Sequence, residues 1–201
     1  MESFIQEFEG QREKNSDTVI SVCGPSGAGK GTLTSFIAEQ LGLSSYSAGD
    51  FFREIAEKKD ISVEELSGRA DKSIDRRVDE RTLDKALNED CVIDSRISAW
   101  VLGSYADFTI YVTADLEERA RRVKKDIEGR KAETAGTVED IKENISERDK
   151  DNRERYRKYY GIDMSNSTIF DLVVDNTEMS IKEQEKLVKK ALKKHFPEKI
   201  R

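Results

Sequence analysis

The residues Gly24-Pro25-Ser26-Gly27-Ala28-Gly29-Lys30-Gly31-Thr32 place four glycines within eight positions. Glycine inside a regular element costs about 1 kcal/mol relative to alanine, so something must use the bare backbone. The spacing is G-x-x-x-x-G-K, between a β-branched run at 18–23 and an apolar helical pattern that starts at Lys30. In that context successive backbone N–H groups form a concave nest, and the helix N-terminus adds partial positive charge. Side chains there would block an approaching phosphate. Lys30 adds a full charge for the outer phosphates of a nucleoside triphosphate. The general motif carries Ser or Thr directly after the lysine, to hold Mg2+; here Gly31 intervenes, and Thr32 is the hydroxyl available.

A loop that holds one polyanion does chemistry only with further groups. Transfer of a phosphoryl group between two phosphates needs a second anion site, a metal partner and arginines over the moving group. Asp94 and Arg96 follow the short apolar stretch Cys91-Val-Ile. In parallel sheets, ligands sit outside the carboxyl ends of strands. Asp94 is therefore expected at the Mg2+ shell and Arg96 at the acceptor phosphate, although a strand-end cap is an alternative role for Asp94. Farther on, Val138, Ile141 and Ile145 make an apolar stripe that Arg148, Asn152 and Arg155 continue on nearly the same face. An apolar face that turns into arginines within one helix suggests that its end enters an anion site. A solvated helix laced with i,i+4 pairs would also account for most of these charges.

These residues need a scaffold. Apolar spacing predicts helices over 30–41, 48–59, 71–88, 115–128, 137–160 and 180–196, and strands over 18–23, 91–94, 108–113 and 171–175. Ser62 with Glu65 reads as a capping box, and Thr137 with Asp140 caps the helix after the break at 129–136. Phe4, Ile5 and Phe8 lie on one face of an N-terminal add-on helix. Strands alternate with helices throughout, so the expected class is α/β with a mostly parallel sheet. The expected organisation is an extension helix at 1–17 and one domain at 18–201, with a helical segment about 48–90 and a charged insert about 115–160.

Bulk properties bound the function. The chain has 201 residues, 36% apolar and 38% charged, with a formal charge of −6. A protein that lived on nucleic-acid backbone would usually be basic, so any polyanion site must be local and no nucleic-acid partner is expected. There is no run of about 18 apolar residues and no secretory leader pattern, so a cytoplasmic, non-membrane, monomeric protein is expected. Cys23 and Cys91 are too few for a disulfide framework or zinc site and read as buried strand residues. Trp100 reads as packing, and the single histidine, His195, as surface.

Several stretches together resemble one family. Gly24-Pro-Ser-Gly-Ala-Gly-Lys-Gly-Thr-Leu33 is similar to the loop of bacterial cytidylate kinases, and its GKGT ending to nucleoside monophosphate kinases in general. Tyr46-Ser-Ala-Gly-Asp50-Phe-Phe-Arg53 resembles their acceptor-binding segment, which implies that Ser47, Asp50 and Arg53 hold the monophosphate. Val92-Ile-Asp94-Ser-Arg96-Ile-Ser-Ala-Trp100 looks like the E/D-G-R-L-A-G-W segment of archaeal-type cytidylate kinases, with Ser95 and Ser98 where that pattern has glycines. Ala114-Asp-Leu-Glu-Glu-Arg119-Ala-Arg-Arg122 resembles the start of the lid in the same kinases. Arg155-Tyr-Arg-Lys-Tyr-Tyr160-Gly-Ile-Asp163 closely resembles their R-Y-x-x-x-Y-G-I-D stretch, preceded by Asp151-Asn152 where Ser-Glu is usual.

The resemblance runs from about 18 to 192 and implies a P-loop fold with ATP and Mg2+ as donor and cofactor, and CMP or dCMP as acceptor. It implies that Lys30 and the lid arginines Arg119, Arg122 and Arg148 neutralise the transferring group, with Arg155 on the substrate. By analogy, the 71–88 helix lies near the acceptor, where Asp75 and Asp79 could accept from the cytosine amino group beside Arg76. A salt-bridged surface is the alternative role for those charges. The first rival is another nucleoside monophosphate kinase, adenylate above all, of which the long zinc-lid type is excluded because 115–160 has no cysteine. A guanine-nucleotide switch is disfavoured because there is no N-K-x-D motif. A nucleotide-binding module without catalysis is disfavoured by the intact lysine, aspartate and arginines.

Overall fold

The computed structural model describes residues 13–61, 66, 72–129 and 136–200. Five parallel strands form one sheet in the order β2-β3-β1-β4-β5. They are β1 (Val19–Cys23), β2 (Ser44–Ser47), β3 (Cys91–Ser95), β4 (Phe108–Thr113) and β5 (Leu172–Asp175). Among the described residues seven helices flank the sheet: α1 (Lys30–Leu41), α2 (Ala48–Lys58), α3 (Lys72–Asn88), α4 (Ser98–Leu102), α5 (Leu116–Gly129), α6 (Val138–Tyr160) and α7 (Ile181–His195).

The two faces of β1 explain the layers. Side chains alternate along a strand. Val19 and Cys23 face one core with Leu83 and Leu87 of α3, Trp100 of α4, and Tyr156 and Tyr160 of α6. Ile20 and Val22 face the other, with Leu33 and Ile37 of α1 and Val188 and Leu192 of α7. A strand buried on both faces reads as a continuous apolar run, which is why β1, β3 and β4 are legible in the sequence.

β2 is a correction to the expected four strands. Its sequence, Ser-Ser-Tyr-Ser, is half exposed and polar. As an edge strand it needs no apolar pattern; it is held by its register with β3, Ser44 beside Cys91 and Ser47 beside Asp94. The short helix α4 was also not expected. The capping box at Ser62 and Glu65 lies outside the described residues, as do residues 1–12 of the expected extension helix. Residues 13–17 are not helical. They are tied down instead: Asn15 N–H donates to the Leu87 carbonyl (2.7 Å) and Lys14 pairs with Asp107 (2.7 Å).

The expected cap at Thr137 is present, and a second one starts α7. The Thr137 hydroxyl and Asp140 carboxylate cap α6 reciprocally, and Ser180 and Glu183 do the same for α7. Cys23 and Cys91 are free and buried. Trp100 is buried, with an edge-on contact to Phe170 at 5.3 Å. His195 is exposed, its ring against Phe108 and Phe196.

Candidate active site

All five strands end at the same rim, so the loops that follow them converge there. The loop after β1 is shaped by positive φ at Gly24, Gly27 and Gly29. At Gly24 a Cβ would sit 2.1 Å from the Val112 carbonyl oxygen on β4, and at Gly27 one would sit 2.7 Å from the Arg119 carbonyl oxygen. Glycine is required at both points by close backbone approach as well as by φ. Ala28 is fully buried beneath the loop, and its carbonyl accepts from Asn176 Nδ2 at 3.0 Å.

Two cavities open on this rim. The first, about 270 Å³, lies between the glycine loop, α2, α3, the end of β3 and α6. Ser26, Lys30, Ser47, Arg53, Asp75, Asp79, Asp94, Arg96, Arg148 and Arg155 all line it. The second, about 650 Å³, lies between the loop, α5 and the start of α7. Gly27, Gly29, Lys30, Gly31, Thr32, Asp94 and Arg122 line it, with Arg121, Lys125 and Asn176. Lys30 and Asp94 line both cavities, which therefore meet at one lysine and one carboxylate.

Lys30 Nζ donates to the Pro25 carbonyl (2.9 Å). Burial, with the Arg96 guanidinium nearby, pushes the Lys30 ammonium down to about 8; Asp94 opposes this. Burial raises the Asp94 carboxyl above its usual range, against the charge of Lys30 and a hydrogen bond from Ser47 Oγ (3.2 Å). Each group holds the other in a charged form that burial alone disfavours. Arg96 Nε is buried and has no hydrogen-bond partner among the described residues. Since a buried orphan donor costs about 1–3 kcal/mol, a ligand anion in the first cavity would satisfy it. Arg53 extends from α2 and is paired with Asp50.

The helix α6 packs on α5 at its start and lines the first cavity farther along. Its stripe Ile141 and Ile145 packs on Ala120 and partly buried Leu116 and Val123 of α5. Farther along, Arg148, Asn152, Arg155 and Tyr156 reach the first cavity. Arg155 Nε lies 2.9 Å from Asp75 Oδ2, and an Arg155 NH2 donates to Asn152 Oδ1 (3.0 Å). The serines that replace glycines after β3 are accommodated locally. Ser95 Oγ accepts from Ile97 N–H (3.0 Å), and Ser98 Oγ shares a hydrogen bond with Ser21 Oγ (2.7 Å) beneath the sheet end.

Gly24, Pro25, Ala28, Asp50 and Arg119 line neither cavity. Arg119 is almost fully buried and donates to the Ser26 carbonyl (3.2 Å) and to Asp149 Oδ2 (2.7 Å), which ties α5, α6 and the glycine loop together. Arg122 sits at the second cavity and donates to Asn176 Oδ1 (2.8 Å) and its carbonyl (3.0 Å). Sequence reasoning passed over Asn176, which is buried and joins the loop, α5 and Gln184 of α7. No local pattern announces a lone asparagine after a strand. Arg121 and Lys125 were also passed over, and their spacing on α5 with Arg122 was the available signal.

Known proteins bear on the family and the fold. Residues 19–178 match the model of the cytidylate kinase-like family. A cytidylate kinase of Staphylothermus marinus is 38% identical over 184 residues, covering 90% of this chain and 99% of that protein. One of Aeropyrum pernix is 39% identical over 170 residues, covering 83% and 94%. Among solved structures, a shikimate kinase from Acinetobacter baumannii superposes with a TM-score of 0.57 at 16% identity, covering 92% of this chain and 96% of that one. An uncharacterised protein from Eubacterium ventriosum gives 0.63 at 16%, covering 87% and 97%. At such identities these two structures speak for the fold alone.

Proposed function

The chain belongs to the cytidylate kinase-like family, and from that premise we propose that it transfers the γ-phosphoryl group of ATP to CMP or dCMP, giving ADP and CDP or dCDP. The observation that carries this reading is the pair of cavities that meet at Lys30 and Asp94. A kinase must bring two polyanions end to end, and a site for one nucleotide alone needs no second chamber.

In this reading the larger cavity takes ATP, with the triphosphate along the glycine loop. Arg122, Arg121 and Lys125 line the same chamber. The smaller cavity takes the monophosphate, its phosphate held by Arg53 and Arg96. Arginine suits this work because its planar fork holds two phosphate oxygens at once. Lys30 stands where the two phosphates meet and neutralises charge as it moves between them, and Arg148 adds a second cation from α6. No covalent intermediate is needed; positioning and charge stabilisation suffice. The α5–α6 hairpin forms the lid, and closing it keeps water from taking the phosphoryl group. Arg119 acts by position: it holds the lid to the loop through Ser26 and Asp149.

Thr32 and Asp94 both line the larger cavity and offer only oxygen. That donor set fits Mg2+, which binds through one or two protein oxygens, substrate phosphates and retained waters. Bound there, the ion would supply charge neutralisation to the transferring phosphate groups. ADP release measured with CMP, dCMP, UMP and AMP, each with ATP and Mg2+, tests the reading. Turnover that depends on CMP or dCMP supports it. A clear AMP preference removes the cytidylate assignment, and ADP release unaffected by any monophosphate removes the kinase.

A further inference from the structure

On its α3 side the smaller cavity carries two carboxylates, with Arg155 of α6 against one of them. Asp75 and Asp79 stand one turn apart on α3, each 6% exposed, and both line the cavity. Arg155 of α6 is committed to Asp75 at 2.9 Å and to Asn152. Among the described residues no ion pair reaches Asp79. The groups that face it are Asp75 and Glu80 from its own helix, and Arg155 and the Tyr156 and Tyr160 hydroxyls from α6. A buried carboxylate that no ion pair reaches is disfavoured in its charged form by low-dielectric surroundings, and protonation removes that cost.

The place of this cluster matches the far end of a nucleotide. Arg148 and Arg155 lie on one helix, seven residues or about 10 Å apart at 1.5 Å per residue. At the Arg148 end the cavity meets Lys30 and the glycine loop, where the acceptor phosphate belongs; at the Arg155 end it meets Asp75 and Asp79. That span suits a monophosphate laid phosphate-first, with its base between Phe52, Val78 and Tyr156 and its polar edge on α3.

We propose that Asp79 reads the acceptor's pyrimidine edge as a neutral carboxylic acid, its O–H donating to the ring N3 and its carbonyl oxygen accepting from the exocyclic amino group. An ionised carboxylate has no proton to give and would face the N3 lone pair with a second lone pair. Uracil can be met in the opposite sense, accepting at the acid's carbonyl from N3–H and taking the O–H at O4, so Asp79 selects a pyrimidine edge and not cytosine alone. Burial, reinforced by Asp75, pushes Asp79 up to about 8 and so toward the protonated form at neutral pH, against the nearby Tyr160 hydroxyl and Arg155. This proposal rests on the cytidylate reading.

The test is calorimetric binding of CMP to the full chain and to Asp79→Asn, without ATP, at pH 7 and pH 9.5. Each titration is run in two buffers of different ionisation enthalpy, which reports protons taken up on binding. Asparagine has the same shape and keeps one donor and one acceptor without titrating. The wild type is expected to take up a proton at pH 9.5 that Asp79→Asn does not, and to lose affinity about tenfold per pH unit above 8. Asp79→Asn should keep CMP affinity within a few-fold and flatten that dependence. Lys30 also titrates in this range but is present in both proteins, so it cancels in the comparison. Equal proton uptake by the two proteins overturns the assignment while leaving the cytidylate reading in place. Failure of the wild type to bind CMP at either pH overturns both.

Discussion

A lysine partly buried beside an arginine and held down at about 8 is a group that the ligand-free fold carries at a cost. The unfolded chain leaves it at its ordinary 10.5. Below pH 8 both states are charged, and the whole penalty is present. As pH rises from 8 to 10.5 the folded form loses its proton first and the penalty fades; above 10.5 it is gone. At about 1.4 kcal/mol per pH unit, the difference is about 3 kcal/mol at neutral pH. Lys30→Met keeps most of the stem and removes the charge, but it also removes the hydrogen bond to the Pro25 carbonyl, worth about 1 kcal/mol. The expected net gain is about 2 kcal/mol at pH 7, or about 4–8 °C in Tm for a chain of this size. Thermal unfolding without nucleotide, at pH 7 and at pH 10, measures it. The gain should be clear at the lower pH and small at the higher. Turnover of the same variant should fall on the order of 10²–10³-fold, and ATP should stabilise it less than it stabilises the wild type. A variant no more stable than wild type at pH 7 would refute the strained-lysine argument. Near-normal turnover would refute the phosphate role.

Other expectations follow from the geometry. Arg53→Ala and Arg96→Ala should each raise KM for CMP about 10- to 100-fold, the loss of charged hydrogen bonds of about 1.5–3 kcal/mol, with ATP affinity by calorimetry unchanged; an equal loss on the ATP side would place them elsewhere. Asp94→Asn should cut kcat by on the order of 10²-fold or more and shift the magnesium titration to higher concentration; an unshifted titration midpoint argues against a metal role. Gly24→Ala should lower stability by about 3 kcal/mol or more, because its Cβ would meet the Val112 carbonyl at 2.1 Å; a normal denaturant midpoint would show that β4 can yield there.

What was legible in the sequence was whatever the chain encodes contiguously. The glycine loop, in the proposed reading a ligand set made of consecutive backbone, is announced by its spacing alone. The stripe from Ile141 to Arg155 works because one helix carries an apolar period and then a charged one along a single face. Pairings between distant segments were not legible. Arg119 is recognisable as a cation in a basic helix, but its partner Asp149 lies thirty residues on, and only the α5–α6 packing brings them to 2.7 Å. Asp75 and Asp79 are visible as two carboxylates on one face. Their burial is not, because it comes from α6 and the cavity walls. An edge strand such as β2 has no pattern of its own and exists because β3 offers it a ladder.

The serines after β3 show how such distant pairings bear on reading a motif. Taken alone, Ser95 and Ser98 in place of glycines would argue against close backbone packing at the Asp94–Arg96 turn. In the fold, Ser98 finds Ser21 Oγ at 2.7 Å and Cys23 Sγ at 3.3 Å, both on β1, and Ala99 N–H also donates to Cys23 Sγ (3.3 Å). The hydroxyl lies inside the sheet end, bonded to small polar groups more than seventy residues earlier. A small residue at 98 therefore works with small residues at 21 and 23, and a larger side chain at any of the three would press on the turn that aims Arg96. The departure from the glycine pattern is absorbed in the layer beneath the site, and the cavity lining above it keeps the carboxylate of Asp94 and the guanidinium of Arg96, which the proposed transfer would use.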